Sequence, residues 1–232
     1  LRMTSIVNPH ASISLVVYDK DGEIIEEGNW ARTSNKLPRV VEEIKPHPHG
    51  IQLGTLQRML RESADRRMTS FLKHNFSGVS PRAAKEILGM ADVEEGRTPK
   101  RIKPEEAKAM IMAFQTVKLL KPPMDCLSPI EDLLIKKGLS KAIDSRFAST
   151  VTRSPTVSQG NPFQIEVGLV FGGDLASDGP IEILRFANRV PLMYQQGGCL
   201  LTKALEAVNW KNYGLEQPGG SGIPKGPAAV LV

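Results

Sequence analysis

Cysteine is almost absent: Cys126 and Cys199 are the only two in 232 residues, and they lie far apart. That excludes a disulfide framework and any zinc site built on CxxC spacing. The simplest compartment is then the reducing cell interior. The chain also lacks an uninterrupted apolar run of about 18 residues, so no membrane-spanning helix is expected. No signal peptide opens it, because Leu1-Arg2-Met3-Thr4-Ser5 leads directly into strand-like sequence. There is no internal repeat and no low-complexity tract. No initiator methionine stands at position 1, and Ala228-Ala229-Val230-Leu231-Val232 reads as a strand with no cap after it. Both ends therefore read as cut from a longer chain.

What is present is ordinary globular composition, with 41% hydrophobic and 24% charged residues, enough for a packed core. The net charge of +5 is unevenly placed. Between Pro46 and Lys121 stand fourteen basic and eight acidic residues, so this stretch carries +6 and the remainder −1. Two readings fit such a middle: a polyanion-binding insert, or a helical region with a solvated Lys/Arg face.

Periodicity divides the chain into three parts. Residues 1–45 read as β, with Ile13, Leu15 and Val17 alternating with Ser12, Ser14 and Val16. A turn at Asp19-Lys20-Asp21-Gly22 leads to a returning strand at 23–26, and these two strands are expected to complete a larger sheet. Residues 46–121 read as helical. Leu53, Leu56 and Leu60 share one face, and Met68, Phe71 and Leu72 suit a short second helix. Ser80-Pro81 starts a third with Ala84, Ile87 and Leu88 inside and Gly89 at its end. Pro104-Glu105-Glu106 opens a longer helix with Ala107, Met110, Ile111 and Phe114 on one face, and Pro122-Pro123 ends it. Residues 122–232 switch to mixed α and β. A short helix is expected from Ser128-Pro129 to near Gly138, a strand over 163–171 ended by Gly172-Gly173, and a strand over 181–190. A helix over about 196–208, a Gly/Pro-rich loop at 214–227 and a final strand follow.

Two motifs carry chemistry. In Phe76-Ser77-Gly78-Val79-Ser80-Pro81-Arg82-Ala83-Ala84-Lys85, a glycine turn feeds a helix N-terminus, where backbone N–H groups can hold a phosphate oxygen. Gly78 and Ser80 shape that turn, Arg82 and Lys85 add charge, and Arg58 and Arg61 supply more from the first helix. An ordinary helix corner fits the same residues. The second motif, Trp210-Lys211-Asn212-Tyr213-Gly214-Leu215-Glu216-Gln217, offers stacking and charge to a nucleic acid, or else a packed Trp and Tyr with a solvated Lys. His47 and His49 would point the same way in an extended segment, as metal ligands do, but lack a third ligand nearby. Gly219 to Gly226 lacks the order of a phosphate loop.

The glycine-turn motif resembles the helix-two-turns-helix fold of a small-subunit ribosomal protein, formamidopyrimidine-type DNA glycosylases and topoisomerase VI. Several segments resemble the transducer of topoisomerase VI B subunits, a family of GHKL ATPases. These are Asp125-Cys126-Leu127-Ser128-Pro129-Ile130, Gly160-Asn161-Pro162-Phe163, Phe171-Gly172-Gly173, Leu184 to Gln195, and Trp210-Lys211-x-Tyr213-Gly214-Leu215-x-Gln217-Pro218-Gly219-Gly220. Asn8-Pro9-His10-Ala11 resembles the end of that family's ATPase domain, and Pro46-His47-Pro48-His49-Gly50 the junction before its helical insert. The likeness runs along the whole chain in the family's order.

The resemblance implies an α+β fold in three parts: the end of a GHKL ATPase domain over 1–45, an all-helical helix-two-turns-helix domain over 46–121, and a ribosomal-protein-like α/β transducer over 122–232. It implies an ATP-dependent type IIB topoisomerase that relaxes and decatenates duplex DNA as an A₂B₂ heterotetramer. The partners would be double-stranded DNA, an A subunit with the cleaving tyrosine, and a second B subunit. The implied localisation is intracellular, cytoplasmic and nucleoid-associated, or nuclear in a eukaryote. ATP and Mg²⁺ would serve the full-length protein. The asparagine-bearing helix, the Asp-x-Gly-x-Gly segment and the glycine-rich lid do not occur in this sequence, and the family's switch lysine falls shortly after its last strand. No ATP ligand, metal ligand or catalytic residue is therefore assigned. The resemblance leaves DNA contact and coupling to this stretch, with Arg58, Arg61, Gly78, Ser80, Arg82, Lys85, Trp210, Lys211 and Tyr213 as DNA-contact candidates. A non-catalytic nucleic-acid-binding or scaffold protein with the same helical module is the alternative.

Overall fold

A computed structural model describes residues 1–232. It contains seven α-helices and ten strands in one mixed α+β chain. In chain order they are α1 (Arg2–Val7), β1 (Ile13–Tyr18), β2 (Ile24–Trp30), α2 (Leu53–Glu62), α3 (Met68–Asn75), α4 (Pro81–Met90) and α5 (Pro104–Thr116). There follow α6 (Asp132–Ala142), β3 (Phe147–Thr152), β4 (Thr156–Ser158), β5 (Asn161–Phe163), β6 (Glu166–Phe171), β7 (Glu182–Leu184), β8 (Phe186–Ala187), β9 (Val190–Pro191), α7 (Leu200–Glu206) and β10 (Ala228–Leu231). By contact the chain forms two units: residues 40–128 with 155–164, and residues 1–39 with 129–154 and 165–232.

The first of these units is helical. Leu56 and Leu60 of α2, Met68, Phe71 and Leu72 of α3, Ala84, Ile87 and Leu88 of α4, and Met110 and Phe114 of α5 share one core. The i, i+3, i+4 stripes predict these buried positions because a helix brings such residues onto one face. Phe76 joins the core between helices, edge-on to Phe71 at 5.8 Å and to Phe114 at 5.5 Å between centroids, a geometry suited to the ring quadrupole.

Helix ends differ from expectation in two places. Gly89 lies inside α4, which runs on to Met90 and is capped by Ala91. α5 stops at Thr116, well before Pro122-Pro123. The reason is tertiary: the Leu120 amide donates to the Gly78 carbonyl at 3.1 Å, and the Leu120 carbonyl meets His47 Nε2 at 2.9 Å. A helix continued to Pro122 would withdraw Leu120 from both bonds. The β4-β5 hairpin belongs to this unit, turning at Gln159 and Gly160, both with positive φ.

The other unit is built on a four-stranded sheet of order β3-β6-β10-β7, antiparallel except for the parallel β10–β7 pair. All four residues of β10 are buried. Alternation sends Ala229 and Leu231 into a core with Ile135 and Leu139 of α6 and Ile6 of α1, and Ala228 and Val230 into a second core with Ile183, Trp210 and Leu215. Gly138 of α6 lets α1 approach, since a Cβ there would overlap the Ile6 carbonyl.

Several expectations are corrected here. Residues 2–7 form a helix rather than entering a strand. β3 has no clear strand signal of its own: Phe-Ala-Ser-Thr-Val-Thr is too polar to stand out, and pairing with β6 makes it a strand. The 163–171 run divides, with Phe163 closing β5 in the helical unit and Glu166 opening β6 in the other. The 181–190 run divides into β7, β8 and β9, because Asn188 (φ 50°) and Arg189 (φ 64°) make a tight two-residue turn. α6 begins at Asp132, since the Glu166 carboxylate takes the amides of Ile130 at 2.8 Å and Glu131 at 2.7 Å, holding them out of the helix. The expected 196–208 helix is shorter: a 3-10 turn spans 196–198 and α7 only Leu200–Glu206.

Candidate nucleic-acid interface

The turn into α4 is built as its sequence implies. Gly78 adopts φ +73°, and a side chain there would meet the His47 ring at 2.8 Å. Ser80 Oγ accepts the Ala83 amide at 3.1 Å and Pro81 follows at the first helical position. Arg82 and Lys85 are both exposed, one turn apart. Lys85 Nζ lies 3.6 Å from Glu95 Oε2, with 65% and 51% of the two side chains exposed. Such a pair is weak and readily exchanged for a phosphate.

His47 and His49 do not form a metal site. His47 Nε2 bonds the Leu120 carbonyl, and its Nδ1 accepts the His49 amide at 3.3 Å. Burial lowers the His47 pKa against the raising effect of the Leu120 bond, and neighbouring His49 lowers it further. The ring is thus a neutral strut under the α4 turn. No group of three His, Cys, Asp or Glu comes together anywhere in the chain.

Arg58 and Arg61 are exposed on α2. This helix packs on α5 and the 99–101 turn, whereas α4 packs on α3 and α5, so the two pairs of cations sit on different elements. Arg61 instead joins Lys100 and Lys103 around a cavity of about 170 Å³ floored by Leu60, Ile102 and Ala107. The loop carrying the lysines is pinned. Arg97 Nη1 meets Glu106 Oε1 at 2.6 Å, Arg97 Nη2 donates to the Arg101 carbonyl at 2.9 Å, and Glu106 Oε2 accepts the Lys103 amide at 2.7 Å. Sequence reasoning does not single out Lys100 and Lys103. Their signal is their position beside Pro99 and Pro104, residues that fix the backbone at each lysine.

The second motif is a 3-10 turn over Trp210–Tyr213, ended by Gly214 at φ +78°. Of the two readings of this motif, Trp210 follows the packed one. It is 8% exposed and packs in the β10 core, and its indole N–H donates to the Leu205 carbonyl at 2.8 Å. Gln217, 1% exposed, organises the turn: its Oε1 accepts the Trp210 amide at 3.0 Å, and its Nε2 donates to the carbonyls of Val208 at 2.9 Å and Gly222 at 2.8 Å. Lys211 is exposed and Tyr213 is 73% exposed. Tyr213 also edges an open apolar groove of about 430 Å³ with Phe147, Phe171 and Trp210.

Cys199 is buried, as a small structural residue should be, but it is not a plain thiol. Burial raises its pKa, while the Tyr194 hydroxyl at 3.2 Å, the Thr202 amide, the Arg185 guanidinium and the Leu201 amide together lower it to about 6. Arg185 is itself buried, donates to the carbonyls of Leu192 and Tyr194, and lies 5.0 Å over the Tyr194 ring.

Residues 122–232 match the family model described as the topoisomerase VI B subunit, transducer. Over its full length the chain is 47% identical to the B subunit of type 2 DNA topoisomerase 6 from Methanococcoides burtonii, of which it covers 36%. It is 43% identical over its full length to that of Archaeoglobus fulgidus, covering 37%. Against that of Methanothermobacter thermautotrophicus it is 35% identical and covers 43%. The chain thus spans little more than a third of the length of the first relatives it matches.

Proposed function

The chain belongs to the topoisomerase VI B-subunit family, and from that premise we propose that it is the part of an ATP-dependent type IIB topoisomerase that contacts duplex DNA and couples ATP use to the cleaving subunit. The whole protein would bind ATP and Mg²⁺, dimerise, and join two A subunits in an A₂B₂ assembly to relax and decatenate duplexes. The observation that carries this reading is 47% identity, along the whole of this chain, with 36% of the B subunit of a topoisomerase 6, taken with the transducer match. We retain the division into an ATPase-domain end over 1–45, a helix-two-turns-helix domain over 46–121 and a transducer over 122–232. No residue of this stretch is assigned to ATP, metal or catalysis.

The geometry supports phosphate contacts rather than base reading. Arg82, Lys85, Arg58 and Arg61 are exposed cations on helices, and Gly78 and Ser80 shape the anion-facing turn. Lys211 and Tyr213 remain exposed candidates on the sheet unit, with Trp210 as their packed base. Contacts on two folded units give bound DNA a way to bias the ATPase dimer, a coupling between sites.

Two assays test this. Arg82→Ala with Lys85→Ala should weaken duplex binding and flatten its salt dependence by about two units of log–log slope, one per phosphate contact. Unchanged affinity and slope would remove both residues from the interface. The full-length protein with its A subunit should decatenate DNA only with ATP and Mg²⁺. Duplex binding without any ATP-dependent strand passage would instead support a non-catalytic nucleic-acid-binding or scaffold role.

A further inference from the structure

We propose that the cavity between α2 and the 99–104 loop is a phosphate-binding site, with Arg61, Lys100 and Lys103 as its ligands. Three cations from two elements converge on one cavity of about 170 Å³, and no carboxylate lines it. None of the three side chains belongs to an ion pair. Like charges around a common space repel, and a bound anion removes that repulsion. Glu106, in the first turn of α5, is already engaged with Arg97 and the Lys103 amide.

The site is also pre-formed. Pro99 is buried, the Arg101 carbonyl is held by Arg97, and Pro104 starts α5, whose positive end faces the loop. Lys100 and Lys103 therefore approach a ligand from a pinned backbone, which limits the ordering cost of binding. Leu60, Ile102 and Ala107 also line the cavity. The ligand chemistry is a phosphate group, either a phosphodiester of the DNA backbone or a free phosphate. Only the choice of the DNA backbone as source rests on the duplex-binding reading above.

The test is amide NMR of the 232-residue chain titrated separately with inorganic phosphate and with a blunt DNA duplex. Both should shift the signals of residues 57–61 and 99–107. Arg61→Gln/Lys100→Gln/Lys103→Gln should abolish the phosphate response and flatten the duplex salt slope by about one unit. Lys73→Gln/Lys118→Gln/Lys121→Gln removes equal charge from exposed positions elsewhere on the unit and should leave the phosphate response intact. Shifts with phosphate but not with duplex would keep the site, assign it to a free phosphate, and count against the duplex reading for this face. Duplex shifts confined to residues 78–85 would exclude the duplex from this cavity and leave the α4 contact standing. A phosphate response that survives in the first triple variant, or is absent from the parent, would also overturn it.

Discussion

Replacing Gln217 with Leu should loosen the Trp210–Tyr213 turn more than any other single change of similar volume there. The Gln217 amide accepts one N–H, from Trp210, and donates to two carbonyls, of Val208 and Gly222. Leu fills the space and serves none of the three. A buried polar group left unmatched costs about 1–3 kcal/mol. The two carbonyls lie in a surface loop and can recover water, so the loss should fall near about 2–4 kcal/mol rather than at the sum of all three. With a urea slope of about 2 kcal/mol per molar, the midpoint should drop by about 1–2 M. The assay is urea unfolding followed by Trp210 fluorescence in a Trp30→Phe background, since the chain has two Trp residues. The variant's emission should lie to the red of the parent's before any denaturant is added, because the indole loses its shelter. A parent-like emission maximum with a midpoint shift below about 0.3 M would refute the assignment of Gln217 as the organiser of this turn.

Two glycines should respond with opposite signs to alanine. Gly89 has open space around it in α4, so Gly89→Ala should gain about 1 kcal/mol of helix propensity. Gly138→Ala gains the same propensity but places a methyl against the Ile6 carbonyl, and undocking α1 exposes Ile6 and Val7 at about 1.5–3 kcal/mol each, so a net loss in thermal stability is expected. Cys199, in a Cys126→Ser background, should show thiolate absorbance with a midpoint near pH 6. Its pKa is depressed in the fold, so its contribution to stability is present above the unfolded thiol pKa of about 8.5 and is lost as pH falls through about 6. Cys199→Ser should flatten that part of the stability profile, and an unchanged profile would show that the thiolate is not a counterion of Arg185.

Local signals proved legible wherever neighbours along the chain settle the outcome. Ser80-Pro81 fixes the start of α4 through one side-chain bond and one missing N–H. Gly172 and Gly173, both at positive φ, close β6. The apolar stripes of α2 to α5 identify the helical core because a helix places i, i+3 and i+4 on one face whatever packs against it. The uneven charge follows from residue order alone, and the ordered run of motifs needs no coordinates. What the sequence could not supply depends on residues distant along the chain. β3 is a strand because β6 lies beside it, and α5 ends early because Gly78 and His47 claim Leu120. Trp210 and Lys211 are neighbours in sequence, yet the sheet core takes one and leaves the other to solvent. Arg61 meets Lys100 and Lys103 only once α2 has packed on the 99–101 turn. Backbone propensity and capping act within a few residues and are written in the sequence; burial and charge convergence arise only when separate elements meet, and that the tertiary structure decides.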